Sequence, residues 1–268
     1  MWRRVRSFAS DYRFRKKFIE GTYANAMPFK TTENELRSTV DQRRRIWQTH
    51  SRIHERFARE GLEIVHSKLE LALVAESILS SDVDGPVVEF GCYHGLSTAK
   101  LSLAAKEAGR RLIVFDSFEG LPEPRADEID ERNASTGSFR WRRHQYRDSL
   151  DAVKARVELE GCLEACEFVR GYYDRTLADF NLRPSVVFED VDLISSMEDV
   201  LRACYPRMPS GAVFYSHEAA FPKFVDRFFI DDGFWRQTFQ ERPPYLVGGL
   251  SGLCDGAGAL AYFVKKEQ

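Results

Sequence analysis

Residues Val87 to Ser97 read VVEFGCYHGLS. Two valines, an acid and a phenylalanine make a short apolar run, and glycines follow at Gly91 and Gly95. From Ser97 to Ala108 the pattern turns helical. This order predicts a buried parallel strand, a glycine turn and a helix N-terminus, the usual way an α/β sheet receives a nucleotide-like ligand. The two glycines lie four apart, which is not the G-x-G-x-x-G spacing of a dinucleotide fold. No G-K-[ST] follows, so the turn is not a P-loop either. An acid near the strand end, ahead of Gly-x-x-x-Gly, suits a ligand carrying a cation and a ribose rather than a pyrophosphate. S-adenosylmethionine is such a ligand.

Outward from this stretch, apolar runs and helical patterns alternate. Strands are predicted at Arg111–Asp116 (RLIVFD), Cys166–Arg170, Ser185–Asp190 (SVVFED) and Gly211–Ser216 (GAVFYS), with closing strands at Trp235–Gln240 and Ala259–Val264. Helices are predicted at Leu62–Leu79, Ser149–Gly161, Met197–Tyr205 and 219–231. Such alternation means a parallel sheet with right-handed crossovers. Residues 122 to 147 form a long polar connection, and connections of that length in a compact domain are lids, binding loops or disordered pieces. Residues 1 to 60 stand apart as a basic, highly charged helical extension, ahead of an α/β domain over 61–268. The extension reads as a helical element packing on the core or, as a homo-oligomer through the N-terminal helices, on a second copy. Its thin, interrupted apolar face argues against a membrane-surface helix.

The bulk numbers exclude several classes. Hydrophobic residues are 43% and charged residues 30% of the chain, as in a globular protein with a full core. A net charge of -2 gives no general pull toward nucleic acid. No apolar run reaches membrane-span length. Five cysteines, an odd count without CxxC or zinc spacing, read as reduced thiols in a cytoplasmic protein.

In open parallel sheets, ligands bind beyond the carboxyl ends of the strands. Glu89, Asp116, Asp190 and the Ser216-His217-Glu218 run all fall there. Asp116 is placed to accept bonds from ribose hydroxyls, or else to fix a turn. Glu89 is placed to orient the amino-acid end of the cofactor, or to bind a turn amide. Asp190, His217 and Glu218 converge if their strands are neighbours. One imidazole and two carboxylates can hold a divalent cation, magnesium or a transition metal. The same groups can equally form a metal-free acid–base cluster, in which His217 is the base. His144, within RWRRHQYR, is a further candidate base from the polar connection, or else a solvated loop residue, which is the commoner case for a lone loop histidine.

VVEFGCYHGLS, IVFDSFEGLPEP, FVRGYYDRTL, FEDVDL and the stretch from Tyr205 to Glu218 together resemble the macrocin and mycinamicin O-methyltransferases over roughly residues 65 to 220. The most specific piece is DSFEGLP, Asp116 to Pro122. The first motif also resembles that of catechol O-methyltransferase. The resemblance implies a Rossmann-like class I methyltransferase fold: an α/β domain with a seven-stranded, mostly parallel sheet flanked by helices, its last strand antiparallel. It implies cofactor roles for Glu89, Gly91, Tyr93 and Ser97 at the methionine end, for Asp116 at the ribose and for Tyr172 near the adenine, with Gly95 and Ser117 among the cofactor-binding residues.

It also implies a metal held by an Asp and then an Asp-Asp or Asp-Asn pair. Asp190 matches the first, but His217 and Glu218 stand where the pair is expected. The catalytic lysine of the catechol enzyme has no counterpart, since Leu193 occupies that position. The activity implied is O-methyl transfer from S-adenosylmethionine to a hydroxylated small molecule such as a sugar or natural-product intermediate. The alternatives are other chemistry in the same fold, or a non-catalytic cofactor-binding scaffold.

Overall fold

The computed structural model describes residues 40–133, 137–248, 252–253 and 257–266. The basic stretch before residue 40 and Cys254 therefore lie outside the described residues.

A six-stranded sheet forms the middle layer: β1 (Val87–Phe90), β2 (Leu112–Asp116), β5 (Cys166–Arg170), β6 (Val186–Glu189), β7 (Val213–Ser216) and β8 (Ala261–Val264). Its order is β5-β2-β1-β6-β7-β8, parallel except for β8, which runs antiparallel to β7. All four residues of β1, β6 and β7 are buried, so these mostly apolar strands lack the alternation of a half-exposed sheet, and Glu89, Glu189 and Ser216 are buried polar members of them. The chain winds from β1 through β2 to β5 on one side, then returns to start β6 on the other. The reversal opens a crevice over the carboxyl ends of β1 and β6.

Successive strand residues feed two apolar layers. Val87, Leu112, Val114, Val186, Phe188 and Tyr215 face α1 (Val40–Arg59), α2 (Lys68–Ser80) and α3 (Leu96–Glu107). Val88, Phe90, Ile113, Val187, Phe214 and Phe263 face α6 (Ile194–Cys204) and the aromatic cluster around α8 (Gly233–Phe239). Each fully buried Phe or Leu of these layers contributes roughly 1.5–3 kcal/mol of transfer free energy. The described part of the extension, α1, joins the first layer through Ile53 and Phe57, and its Arg43 donates to Glu76 of α2 at 3.0 Å in a buried ion pair.

Three predicted elements differ. The helix expected from Leu62 begins at Lys68, because Ser67 caps it: Ser67 Oγ accepts from Glu70 N at 3.0 Å, and Glu70 Oε2 accepts from Ser67 N at 2.7 Å. The strand expected at Trp235–Gln240 is helical, since Trp235 and Phe239, four apart, pack ring to ring at 5.0 Å on one helix face. That leaves six strands in the main sheet among the described residues rather than seven. Beyond β8 only an isolated antiparallel bridge, Val247 to Tyr262, stands where a further strand would pair. The polar connection is not featureless, because β3 (Asp130–Asn133) and β4 (Gly137–Arg140) form an antiparallel hairpin within it.

Candidate active site

The glycine turn is built from beneath. Phe90 O accepts from Asp190 N at 2.9 Å, and Gly91 N donates to Phe115 O at 2.9 Å, so β1 leaves the sheet locked to both neighbours. Glu89 points below the turn: fully buried, its Oε2 accepts from Thr98 Oγ1 at 2.7 Å. Burial pushes its carboxyl up to about 8, against the bonds from Ser97 and Thr98. Ser97 is fully buried as well, and Gly95 is the left-handed cap of α3, φ 81°.

Above the turn lies a cavity of about 510 Å³. Gly91, Tyr93, Asp116, Ser117 and Tyr172 line it, and so does the acid-rich group of Asp190, Asp192, His217 and Glu218. Of the residues read from sequence, Glu89, Gly95, Ser97 and His144 are not brought to this cavity. His144 Nδ1 instead meets the carbonyl of Glu119 at 2.9 Å, on the outside of the turn after β2. Asp116 takes the turn-fixing one of its two sequence readings. Its Oδ2 accepts from Cys92 N at 2.8 Å and its Oδ1 from Phe118 N at 2.7 Å, which fixes two loops against each other. A carboxylate has about four acceptor sites, so capacity is left for a ribose. Ser117 Oγ donates to Gly120 O at 2.8 Å and shapes the next turn.

Tyr93, Phe118 and Asp192 hold φ of 47°, 54° and 65°, just beyond the ends of β1, β2 and β6. Left-handed non-glycine residues cost energy that the surrounding structure must offset, and they concentrate at ligand sites. A ring wall closes another side. Phe139 and Trp141, at and just after the hairpin's second strand, contact at 4.5 Å, and Trp141 meets Phe221 at 5.4 Å. All three line the cavity, so the polar connection contributes an aromatic surface to it.

In the acid-rich group, Asp190 stands between two imidazoles. Its Oδ2 lies 2.8 Å from His66 Nε2 and its Oδ1 3.2 Å from His217 Nδ1. His217 Nε2 lies 3.3 Å from Glu70 Oε2. Burial acts to raise the Asp190 carboxyl, but His217 and His66 outweigh it and hold the group below the usual carboxylate range. Burial acts to lower His217, but Asp190 and Glu70 outweigh it and hold the imidazole well above its ordinary value. Glu218 turns away from this chain of contacts: its Oε1 accepts from Asp192 N at 2.8 Å. Burial and the charge of Asp190 push it up to about 8. Burial and the charges of Glu218 and Asp190 raise Asp192 as well.

The expected trio of Asp190, His217 and Glu218 is thus divided. The ligand atoms gather as His66, Asp190 and His217 in one group and as Asp190, Asp192 and Glu218 in another, each within 4.8 Å. Both groups suit a divalent cation by charge, the first with nitrogen donors and the second with oxygen alone. His66, Glu70 and Asp192 are absent from the sequence reading. Ser67-x-x-Glu70 was the available signal, since that capping box places His66 immediately before α2.

The fold is that of a class I methyltransferase. Among solved structures, a calicheamicin methyltransferase superposes with TM-score 0.54 at 16% identity, covering 89% of this chain and 99% of that one. The O-methyltransferase NovP gives 0.52 at 16% identity, covering 92% and 88%. TomG of Streptomyces achromogenes, solved with S-adenosylmethionine, gives 0.50 at 12% identity, covering 92% and 96%. At these identities the likeness establishes the fold. The sequence profile of the macrocin O-methyltransferase family, TylF, matches residues 13–224, and the chain belongs to that family. A curated relative, the 8-demethyl-8-(2,3-dimethoxy-alpha-L-rhamnosyl)-tetracenomycin-C 4'-O-methyltransferase of Streptomyces olivaceus, is 32% identical over 148 residues. The match spans 53% of this chain and 55% of that relative, so it covers about half the relative's length.

Proposed function

We propose that this chain transfers a methyl group from S-adenosylmethionine to a hydroxyl of a small molecule, most closely a sugar attached to a natural product. One observation carries the reading: one cavity is lined both by Gly91, Tyr93 and Asp116 of the glycine turn and second strand end and by the titratable groups Asp190, Asp192 and His217, at the switch point of the sheet. The relative's action on a rhamnosyl group supports the sugar, and the wall of Phe139, Trp141 and Phe221 offers flat apolar faces for a sugar ring or its aglycone.

The donor cation and the acceptor oxygen must meet in line, so most of the rate comes from positioning. The proton of the acceptor hydroxyl needs a base within reach. His217 is engaged by carboxylates on both ring nitrogens and suits a holding role. Asp192 lines the cavity beside Asp190 and Glu218, and in its ionised form its carboxylate can accept a proton there. We assign the proton to Asp192. A divalent cation held at Asp190 would supply polarisation of the hydroxyl.

The test is methyl transfer from labelled cofactor to a panel of deoxysugar glycosides, read by mass spectrometry. The expected result is one added methyl on a sugar oxygen, with Asp192→Asn slower in kcat by roughly 10²–10⁴-fold and nearly unchanged in cofactor affinity. Absence of cofactor binding by calorimetry would sink the reading.

A further inference from the structure

We infer that His66, Asp190 and His217 form a binding site for a divalent transition-metal cation of the manganese-to-zinc series, in preference to magnesium. The three side chains come from the segment before α2, the end of β6 and the end of β7. Backbone bonds fix two of them, with His217 N donating to Glu189 O and Asp190 N to Phe90 O, both at 2.9 Å. Their ligand atoms lie within 4.8 Å of one another. The Asp190 oxygens stand 2.8 Å and 3.2 Å from the imidazole nitrogens. Those separations match the ligand-to-ligand edges around a cation with bonds of about 2.1 Å, roughly 3.0 Å in an octahedron and roughly 3.4 Å in a tetrahedron.

Glu70 provides an independent pointer. A ligating histidine almost always gives its other ring N–H to a carboxylate or carbonyl, which fixes the ring and raises its basicity. With Nδ1 turned to the cation, His217 presents Nε2 to Glu70 Oε2 at 3.3 Å. Glu70 is itself held by Ser67 N at 2.7 Å and Ala259 N at 3.2 Å, so it stands behind the imidazole as a fixed support.

The donor set selects the metal. Two imidazoles and one carboxylate match the softness of cobalt, nickel, zinc or iron, whereas magnesium asks for oxygen throughout. Glu218, whose Oε1 accepts from Asp192 N, belongs to the neighbouring all-oxygen group with Asp190 and Asp192, and the nitrogen donors are gathered only in the His66, Asp190 and His217 group among the described residues. His66 is 4% exposed and closes the back of the site, while Asp190 and His217 line the cavity and leave the open positions on the substrate side. The cation would serve the transfer site proposed above. Metal affinity and cofactor affinity are separate readouts, so either can fail while the other stands.

Cobalt(II) titrated into the metal-stripped full chain tests the site through visible d–d absorption. One equivalent is expected to bind, at least about 100-fold more tightly than magnesium in competition. His66→Ala is expected to weaken cobalt by more than 10-fold with S-adenosylhomocysteine affinity unchanged. Glu70→Gln is expected to weaken it by roughly 10-fold. X-ray absorption of the wild-type cobalt complex guards against a misfolded variant, and two imidazole nitrogens in its ligand shell are expected. No absorption change, equal preference for magnesium, a shell of oxygens alone, or a folded His66→Ala chain binding cobalt like wild type would each overturn the assignment.

Discussion

At Gly91 a Cβ would stand 1.9 Å from the carbonyl oxygen of Asp190, and φ there is +84°. Only glycine lets β1 and β6 part at that distance while turning left-handed. Gly91→Ala is expected to destabilise the chain by on the order of 3 kcal/mol, and to move Asp190 with it. A thermal midpoint lowered by less than about 2 °C would show that the turn absorbs the methyl group. Glu89 gives a different expectation. Its carboxyl is held at about 8 by burial, above an unfolded value near 4.5, so its contribution is full at low pH and is lost as pH rises toward 8. Glu89→Gln removes the titrating group and keeps the shape. Stability should therefore hold or improve above pH 8 in urea unfolding, with cofactor affinity within about 2-fold of wild type. A loss of affinity beyond 10-fold would mean that Glu89 reaches the cofactor rather than the turn.

The strand-end acids were legible because each closes an apolar run of fixed length, and an α/β sheet aligns such ends without further information. His66 and Glu70 were not, because they meet Asp190 and His217 across 124 and 147 residues of sequence. No spacing rule spans that separation. Trp235 to Gln240 was misread for a local reason: aromatic enrichment favours strands, while the Trp235–Phe239 contact that makes the segment helical depends on a core absent from the local pattern.

Among the elements, α3 carries an unusual guest. Lys100 is fully buried against α1, and its Nζ lies 3.5 Å from His54 Nδ1. Burial lowers the ammonium from its ordinary 10.5 to about 7, and it lowers His54 to about 4 with help from Lys100. The unfolded chain binds the lysine proton more readily, so this site grows more favourable as pH rises from about 7 to 10.5 and carries its full penalty below 7. Lys100→Met is expected to stabilise the chain at pH 6.5 by on the order of 4 kcal/mol, with the gain shrinking toward pH 10.5. A gain independent of pH would place its origin in packing instead. The hairpin of β3 and β4 is the second element with a consequence. Trp141 is 3% exposed and meets Phe139, Phe221 and Tyr146, at 6.3 Å for the last. Trp141→Ala is expected to raise the KM for a glycoside acceptor by roughly 10-fold or more while the cofactor constant stays put. An unchanged acceptor KM would remove the ring wall from recognition.

For the whole molecule, the sheet order and the reversal between β1 and β6 bring four strand ends to one crevice, and the long connection supplies its ring wall. On the function proposed above, residues far apart in the chain divide the work: the glycine turn and Asp116 would meet the cofactor, Asp192 the acceptor proton, and Asp190 and His217, backed by His66, a cation at the same cavity. Among the described residues no helix is long and apolar enough to cross a membrane. The most direct measurement is calorimetric titration of the full chain with S-adenosylhomocysteine, paired with Asp116→Ala. Binding of one equivalent at micromolar affinity, weakened by at least about 10-fold in the variant, is the expected result. No heat of binding in a folded wild-type chain, or equal binding by the two, would contradict the cavity's assignment as a methyl-donor site.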